Sequence, residues 1–148
     1  MCLLVSCTNS VPESITGYAV DYADSGLLVV ETVDEGESSQ RRQAVWIANL
    51  KEDRIGSLLT VQLGPVADSY PALSTSTKTI HNKQPQGEQE ILILCLTYAK
   101  NKWPQGFAVI NSTAYDAERS EWEIVIGHLS NEETLTLTVD KDKTITEK

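Results

Sequence analysis

The spacing of apolar and polar residues predicts that most of this chain forms β-strands. Residues 15–20 alternate with a period of two, and the apolar run 27–33 follows after a polar turn, so these two runs predict a β-hairpin. Gly17 lies inside the first run and predicts a bulge or a bend there. Three further strand-like runs complete the first half of the chain: 44–50, 58–63 and 74–80.

The pattern changes to a helical period after residue 87. Apolar residues recur at helical spacing between residues 88 and 102. Acidic residues occupy the first turn of this segment and basic residues the last, as the helix macrodipole favours: Glu88, Glu90, Lys100 and Lys102. The segment is therefore predicted to be a helix, apolar nearly all round and packed between other elements.

Strands return after the predicted helix. Residues 107–111, 122–126 and 134–139 are predicted to be three antiparallel strands. The clean alternation in the last of them directs three apolar side chains inward, those of Leu135, Leu137 and Val139. The tail from Asp140 onward is predicted to be solvated.

Together these elements predict an α+β fold that is mostly β. Residues 13–82 are predicted to form a five-stranded small barrel of the oligonucleotide/oligosaccharide-binding (OB) type. Residues 83–148 are predicted to form a unit of the helix and three antiparallel strands. The boundary between the two is placed in residues 82–87, which are rich in Gln, Pro and Gly, and residues 1–12 are predicted to be a truncated lipoprotein signal and tether.

The segment 64–72, between the fourth and fifth predicted strands, has the composition of a corner. Pro65 and Pro71 each lack a backbone donor and push the preceding residue out of helical geometry, so neither end of the segment continues a strand ladder. One interpretation is a structural corner with Tyr70 packed over one end of the barrel. The other is a recognition surface formed by Asp68, Ser69 and Tyr70 with Trp46.

The net charge of the chain argues against a nucleic-acid partner. The net charge is −9 and the basic residues are scattered, whereas binding to nucleic-acid phosphates needs clustered Lys and Arg. No nucleic-acid partner is therefore expected, and the acidity favours solubility. No apolar run approaches the ~20 residues of a membrane-spanning helix.

The N-terminal residues Leu4-Val5-Ser6-Cys7 resemble a bacterial lipobox, in which a cysteine sulfur carries the lipid. The segment before Cys7 has no Lys or Arg and is shorter than the apolar region of about 7–15 residues that export requires. Either the true start lies upstream of Met1, which predicts a lipid-anchored protein at the outer face of the cell membrane, or the match is accidental and the protein is cytoplasmic.

Few side chains are spaced for catalysis or metal binding. The three cysteines and two histidines lack the spacing of a zinc site, so the sequence predicts no metal, no cofactor and no enzyme. A nucleophilic pair of Cys95 with His81 or His128 is the less favoured alternative to a buried core thiol. Glu121 and Glu123 point to one face of a strand, which indicates either a solvated face or the paired carboxylates of a hydrolase.

The strand order and the corner Gly64-Pro65-Val66-Ala67-Asp68-Ser69-Tyr70-Pro71-Ala72 resemble the YobA-like domain of unknown function, over about residues 13–82. This domain occurs in small lipoproteins of Gram-positive bacteria, and the resemblance implies a compact β domain at the outer face of the cell membrane. The family has no established chemistry and supplies no catalytic residues to transfer. The leading hypothesis is thus a non-enzymatic extracytoplasmic lipoprotein that binds a protein or cell-wall partner. The alternatives are a small cell-wall or polysaccharide hydrolase and a cytoplasmic binding protein.

Overall fold

The protein contains two β-sheets and one α-helix in a computed structural model that describes residues 13–32 and 42–148. The prediction of an α+β fold that is mostly β is confirmed. The helix α1 coincides with the predicted segment, and a short 3-10 helix spans Glu52–Arg54. The elements are β1 (Ser14–Ala23), β2 (Gly26–Glu31), β3 (Ala44–Ile47), β4 (Leu58–Leu63), β5 (Ala72–Ser74), β6 (Ser76–His81), α1 (Glu88–Lys102), β7 (Ala108–Asp116), β8 (Glu121–His128), β9 (Thr134–Val139) and β10 (Ile145–Glu147).

The first sheet is curled into a half-barrel with strand order β5-β3-β2-β1-β4-β6. Neighbouring strands are antiparallel except β3 and β5, which are parallel. Only Thr75 separates β5 from β6, so the run predicted as one strand bends there and supplies both edges of the sheet.

Gly17 has a different role from the predicted bulge. The irregularity in β1 lies between Ala19 and Asp21, two residues further along the strand. A Cβ atom at Gly17 would lie 1.9 Å from the Val30 carbonyl oxygen, so glycine is required because β2 passes so close to β1.

The second sheet is antiparallel with strand order β10-β9-β8-β7, and it corrects the prediction of a solvated tail. The chain turns at Asp140, whose Oδ1 accepts hydrogen bonds of 2.9 Å from the backbone N–H groups of Asp142 and Thr144. This turn returns the chain alongside β9, where Ile145 pairs with Val139. The polar residues after Val139 thus make a tight turn and a fourth strand.

Two hydrophobic cores lie on opposite faces of the first sheet. The smaller core fills the inner face of the half-barrel, with Leu27, Val29 and Leu59 fully buried. The larger core joins the outer face of β2 to α1 and to the second sheet, and buries Leu92 together with Leu137. Both halves of the chain therefore share the larger core, and the predicted inward direction of alternate residues in β9 is confirmed.

Candidate functional site

The corner between β4 and β5 is non-helical and folds back onto β5. The Ala67 N–H donates to the Leu73 carbonyl at 2.8 Å, and the Gly64 N–H donates to the Thr75 carbonyl at 3.0 Å. The Ser74 hydroxyl lies 3.1 Å from the Gly64 carbonyl oxygen. Because both flanking strands are paired within the first sheet, the predicted strand-to-strand corner is confirmed.

Tyr70 is held by its hydroxyl and keeps part of its side chain exposed. The phenol donates a 2.6 Å hydrogen bond to the Arg42 carbonyl, while 37% of the residue remains accessible to solvent. Asp68 and Ser69 are exposed beside it, and the Ser69 hydroxyl donates to the Pro71 carbonyl at 2.9 Å. The exposed Leu73 follows on β5, so this end of the sheet presents an aromatic ring and an apolar side chain on a braced bend.

Trp46 does not belong to this exposed group, although the sequence placed it there. Its side chain is buried, and its ring meets that of Phe107 edge-on with 5.5 Å between centroids. Trp46 pairs with Leu73 across β3 and β5, so it lies next to the surface without forming part of it. The physical reason is that the second half of the chain covers this face of β3.

Arg42 connects the corner to the second sheet. Its Nη1 donates to the Ile110 carbonyl at 3.1 Å, and its Nη2 donates to Asn111 Oδ1. Burial lowers the pKa of the Arg42 guanidinium, and the negative charge of Glu31 opposes that shift. The sequence does not reveal this link, because the residues that receive the hydrogen bonds of Arg42 are far away in the chain.

A buried carboxylate that the sequence did not reveal joins three elements. Glu88 is only 3% exposed and accepts hydrogen bonds from Gln84 Nε2 at 2.9 Å and from Thr113 Oγ1 at 3.1 Å. The Tyr18 hydroxyl lies 3.5 Å from the same carboxylate. Burial raises the pKa of Tyr18, and the charge of Glu88 raises it further. Glutamate in a first helical turn is ordinary, so no signal in the sequence marks this one.

Neutral donors alone surround the Glu88 carboxylate among the described residues, since it forms no ion pair there. Gln84 also donates to the Gly56 carbonyl at 2.9 Å and accepts from the Leu58 N–H at 3.0 Å. The cluster therefore fastens the segment before α1 to the half-barrel on one side and to β7 on the other. This arrangement acts as a structural clamp.

The predicted carboxylate pair lies on the second sheet. Glu121 and Glu123 occupy alternate positions of β8, and both are partly exposed. The Glu123 carboxylate forms an ion pair of 2.6 Å with Lys148 Nζ, whereas Glu121 stands opposite Asp116 in the ladder. One carboxylate is thus engaged by a lysine and the other faces a like charge.

Cys95 lies in the larger core, as the favoured interpretation of a buried thiol predicted. Cys95 is fully buried, and burial raises its pKa to about 12, so the thiol stays protonated at neutral pH. His128 packs its ring against Trp103 with 5.4 Å between centroids. His81 lines a shallow depression of about 410 Å³ together with Gln84 and Gln89.

The predicted lipid attachment residue, Cys7, lies outside the described residues. Within residues 13–32 and 42–148, no helix has both the length and the apolarity needed to cross a bilayer. Comparisons with protein-family models, with curated proteins and with solved structures found no match for this chain.

Proposed function

We propose that this protein is a non-enzymatic binding module of the bacterial cell envelope that recognises its partner through the corner at residues 64–72. The observation that carries the proposal is the state of Tyr70, which is partly exposed and yet fixed through its hydroxyl. A rigid, exposed tyrosine contributes large contact area at low entropic cost, and such residues dominate binding energies at interfaces.

The first sheet supports assignment of an OB-like barrel. If β5 and β6 are taken as one strand bent at Thr75, the hydrogen-bonded order runs β1-β2-β3-β5/β6-β4 and returns to β1. This order of five strands is the order expected of a small barrel of the OB type.

The usual OB surface is a less favourable binding site in this protein. OB barrels bind their ligands on the face of strands 2 and 3. In this protein, that face packs against α1 and the second sheet, and it buries Leu28, Val30, Ala44 and Trp46. The corner remains exposed at the end of the adjoining strand β5, which makes it the favoured surface for a partner.

The location in the proposal rests on the lipobox-like Leu4-Val5-Ser6-Cys7 and on the resemblance to YobA-like small lipoproteins. A lipid on Cys7 would hold the domain at the outer face of the membrane, within reach of the cell wall. A single acyl chain binds membranes only marginally, so the diacylglyceryl group is the appropriate anchor.

Binding is tested by co-sedimentation of the purified protein with insoluble Gram-positive peptidoglycan. Tyr70→Ala is expected to raise the Kd, obtained from the pelleted fraction over a series of peptidoglycan concentrations, by about tenfold, the effect of losing roughly 1.4 kcal/mol of binding free energy. Tyr22→Ala is the matched control, because Tyr22 is 36% exposed and lies in the β1–β2 hairpin. Equal pelleting of the two variants and the parent, or no pelleting of the parent, contradicts a cell-wall-binding corner.

Anchoring is tested separately by fractionation of a Gram-positive host that expresses the complete genomic reading frame. The parent is expected in the membrane fraction and to enter the detergent phase, and Cys7→Ser is expected in the soluble fraction. Retention of the Cys7→Ser protein in the membrane, or a soluble parent, refutes the lipid anchor and leaves the corner hypothesis intact.

A further inference from the structure

The outer edge of β6 carries backbone groups that no described residue satisfies. Leu63 donates its N–H to the Glu13 carbonyl beside β1, so every second residue of β4 counted from Leu63 directs its backbone groups toward β1. The residues between them, including Thr60, direct theirs toward β6. Thr60 pairs with Ile80, which therefore directs its backbone groups toward β4. By the same alternation, the N–H and C=O groups of Thr79 and His81 point away from the sheet.

The edge is closed at one end only. The Asn49 side chain accepts from the Ser76 N–H at 2.7 Å and donates to the Ser76 carbonyl at 2.9 Å, as a neighbouring strand would. No described residue does the same for Thr79 and His81. An open edge of this kind is a template for another strand.

We propose that β6 pairs with β6 of a second copy of this chain, antiparallel and about a two-fold axis at Ile80. In this register Ile80 faces Ile80 of the second copy, and Thr79 faces His81, so that about four backbone hydrogen bonds join the two copies. In this register the Ser76 backbone keeps its hydrogen bonds to the Asn49 side chain.

The side chains along β6 match this symmetric pairing. Ile80 is 41% exposed, and the pairing buries it against its own copy at the axis. Lys78 stands opposite Asn82 of the second copy, so no like charges meet across the ladder. Residues 76–87 contain no Asp or Glu, although the chain carries a net charge of −9, so the contact is formed by a stretch without acidic side chains.

The expected dimer is weak and strengthened by salt. One strand pair buries less than the roughly 1,200 Å² of a stable interface, which indicates a transient association. Two copies of a chain with net charge −9 repel each other, and salt screens that repulsion.

Cross-linking tests the register directly. Cα atoms facing each other in a non-hydrogen-bonded antiparallel pair are about 4.5 Å apart, within the reach of a disulfide. In a Cys2→Ser, Cys7→Ser background with oxidised glutathione, Ile80→Cys is expected to form a covalent dimer about tenfold faster than Ile93→Cys, because the pairing raises the local thiol concentration. Ile93 is the matched control, since it is 40% exposed and lies on α1. Equal rates for the two variants overturn the proposal.

Analytical ultracentrifugation tests the backbone bonds. Thr79→Pro and Thr79→Val both lose the side-chain contact to Ser76 Oγ, and only the proline also loses the outward N–H. Thr79→Val is expected to dimerise like the parent, more so at 300 mM than at 30 mM sodium chloride, and Thr79→Pro is expected to remain monomeric with an unchanged circular dichroism spectrum. A monomeric parent at millimolar concentration, or a Thr79→Pro dimer, refutes the pairing. If Thr79→Pro misfolds, the Ile80→Cys result decides.

Discussion

Replacement of Glu88 separates the value of its hydrogen bonds from the cost of its buried charge. Glu88→Ala deletes the acceptor of Gln84 Nε2 and Thr113 Oγ1, and each donor left without a partner costs about 1–3 kcal/mol. The substitution also removes a buried carboxylate that no cation among the described residues compensates, which returns part of that cost. We expect a net loss of about 3 kcal/mol in the free energy of unfolding.

Glu88→Gln retains the shape of the clamp without its charge. The glutamine Oε1 can still accept from Gln84 and Tyr18, and its amide can donate to Thr113, whose hydroxyl rotates to accept. We expect this variant to unfold within about 1 kcal/mol of the parent. Loss of the Glu88 charge also removes one cause of the raised pKa of Tyr18, so the Tyr18 phenolate should form at lower pH.

Urea unfolding at pH 7, followed by far-ultraviolet circular dichroism, measures both stabilities. Ultraviolet difference spectra during an alkaline titration report phenolate formation, with Tyr18→Phe identifying the signal of Tyr18. The reasoning fails if Glu88→Gln loses as much stability as Glu88→Ala, because the charge rather than the hydrogen-bond geometry would then hold the elements together.

Three further substitutions test individual features of the fold. Ser57 Oγ is buried with no hydrogen-bond partner among the described residues, so Ser57→Ala should keep or raise the unfolding free energy by up to about 1 kcal/mol in urea titration. Hydrogen bonds from Lys102 and Tyr98 lower the pKa of Glu147. The stabilisation of β10 by these bonds is therefore present above the pKa of Glu147 in the unfolded chain and is lost as the pH falls through its pKa in the folded protein. The hydrogen-exchange protection factors of β10 should show this pH dependence in the parent and not in Glu147→Gln. Gly17→Ala places a Cβ against the Val30 carbonyl and should lower the melting temperature by about 6 °C or more, the effect of losing about 2 kcal/mol or more. An unchanged melting temperature would show that the two strands can move apart without cost.

Local chemistry determined the parts of the fold that the sequence predicted well. The bounds of α1 follow from its helical period and from the charges in its first and last turns, which coincide with Glu88–Lys102. The corner followed from two prolines, which stop a ladder wherever the chain goes next. Both signals act within a few residues and do not depend on distant contacts.

The missed features depend on distant parts of the chain. The pattern of β10 is short and polar, and pairing with β9 is what makes it a strand. Tryptophan is a residue type that suits a binding surface, and only the contact with Phe107 shows that Trp46 is part of the core. Glu88 resembles any acidic residue in a first helical turn until β7 brings Thr113 to it.

The bend at Thr75 determines when the half-barrel can be completed. The stretch before it, β5, is the parallel partner of β3, and the stretch after it, β6, is the outer partner of β4. Neither β3 nor β4 therefore has its second neighbour until the same ten residues, 72–81, have been made. A nascent chain that stops short of this point leaves two bare strand edges, which favour aggregation. Truncations before residue 72 should therefore accumulate as insoluble protein, whatever the state of the strands already made.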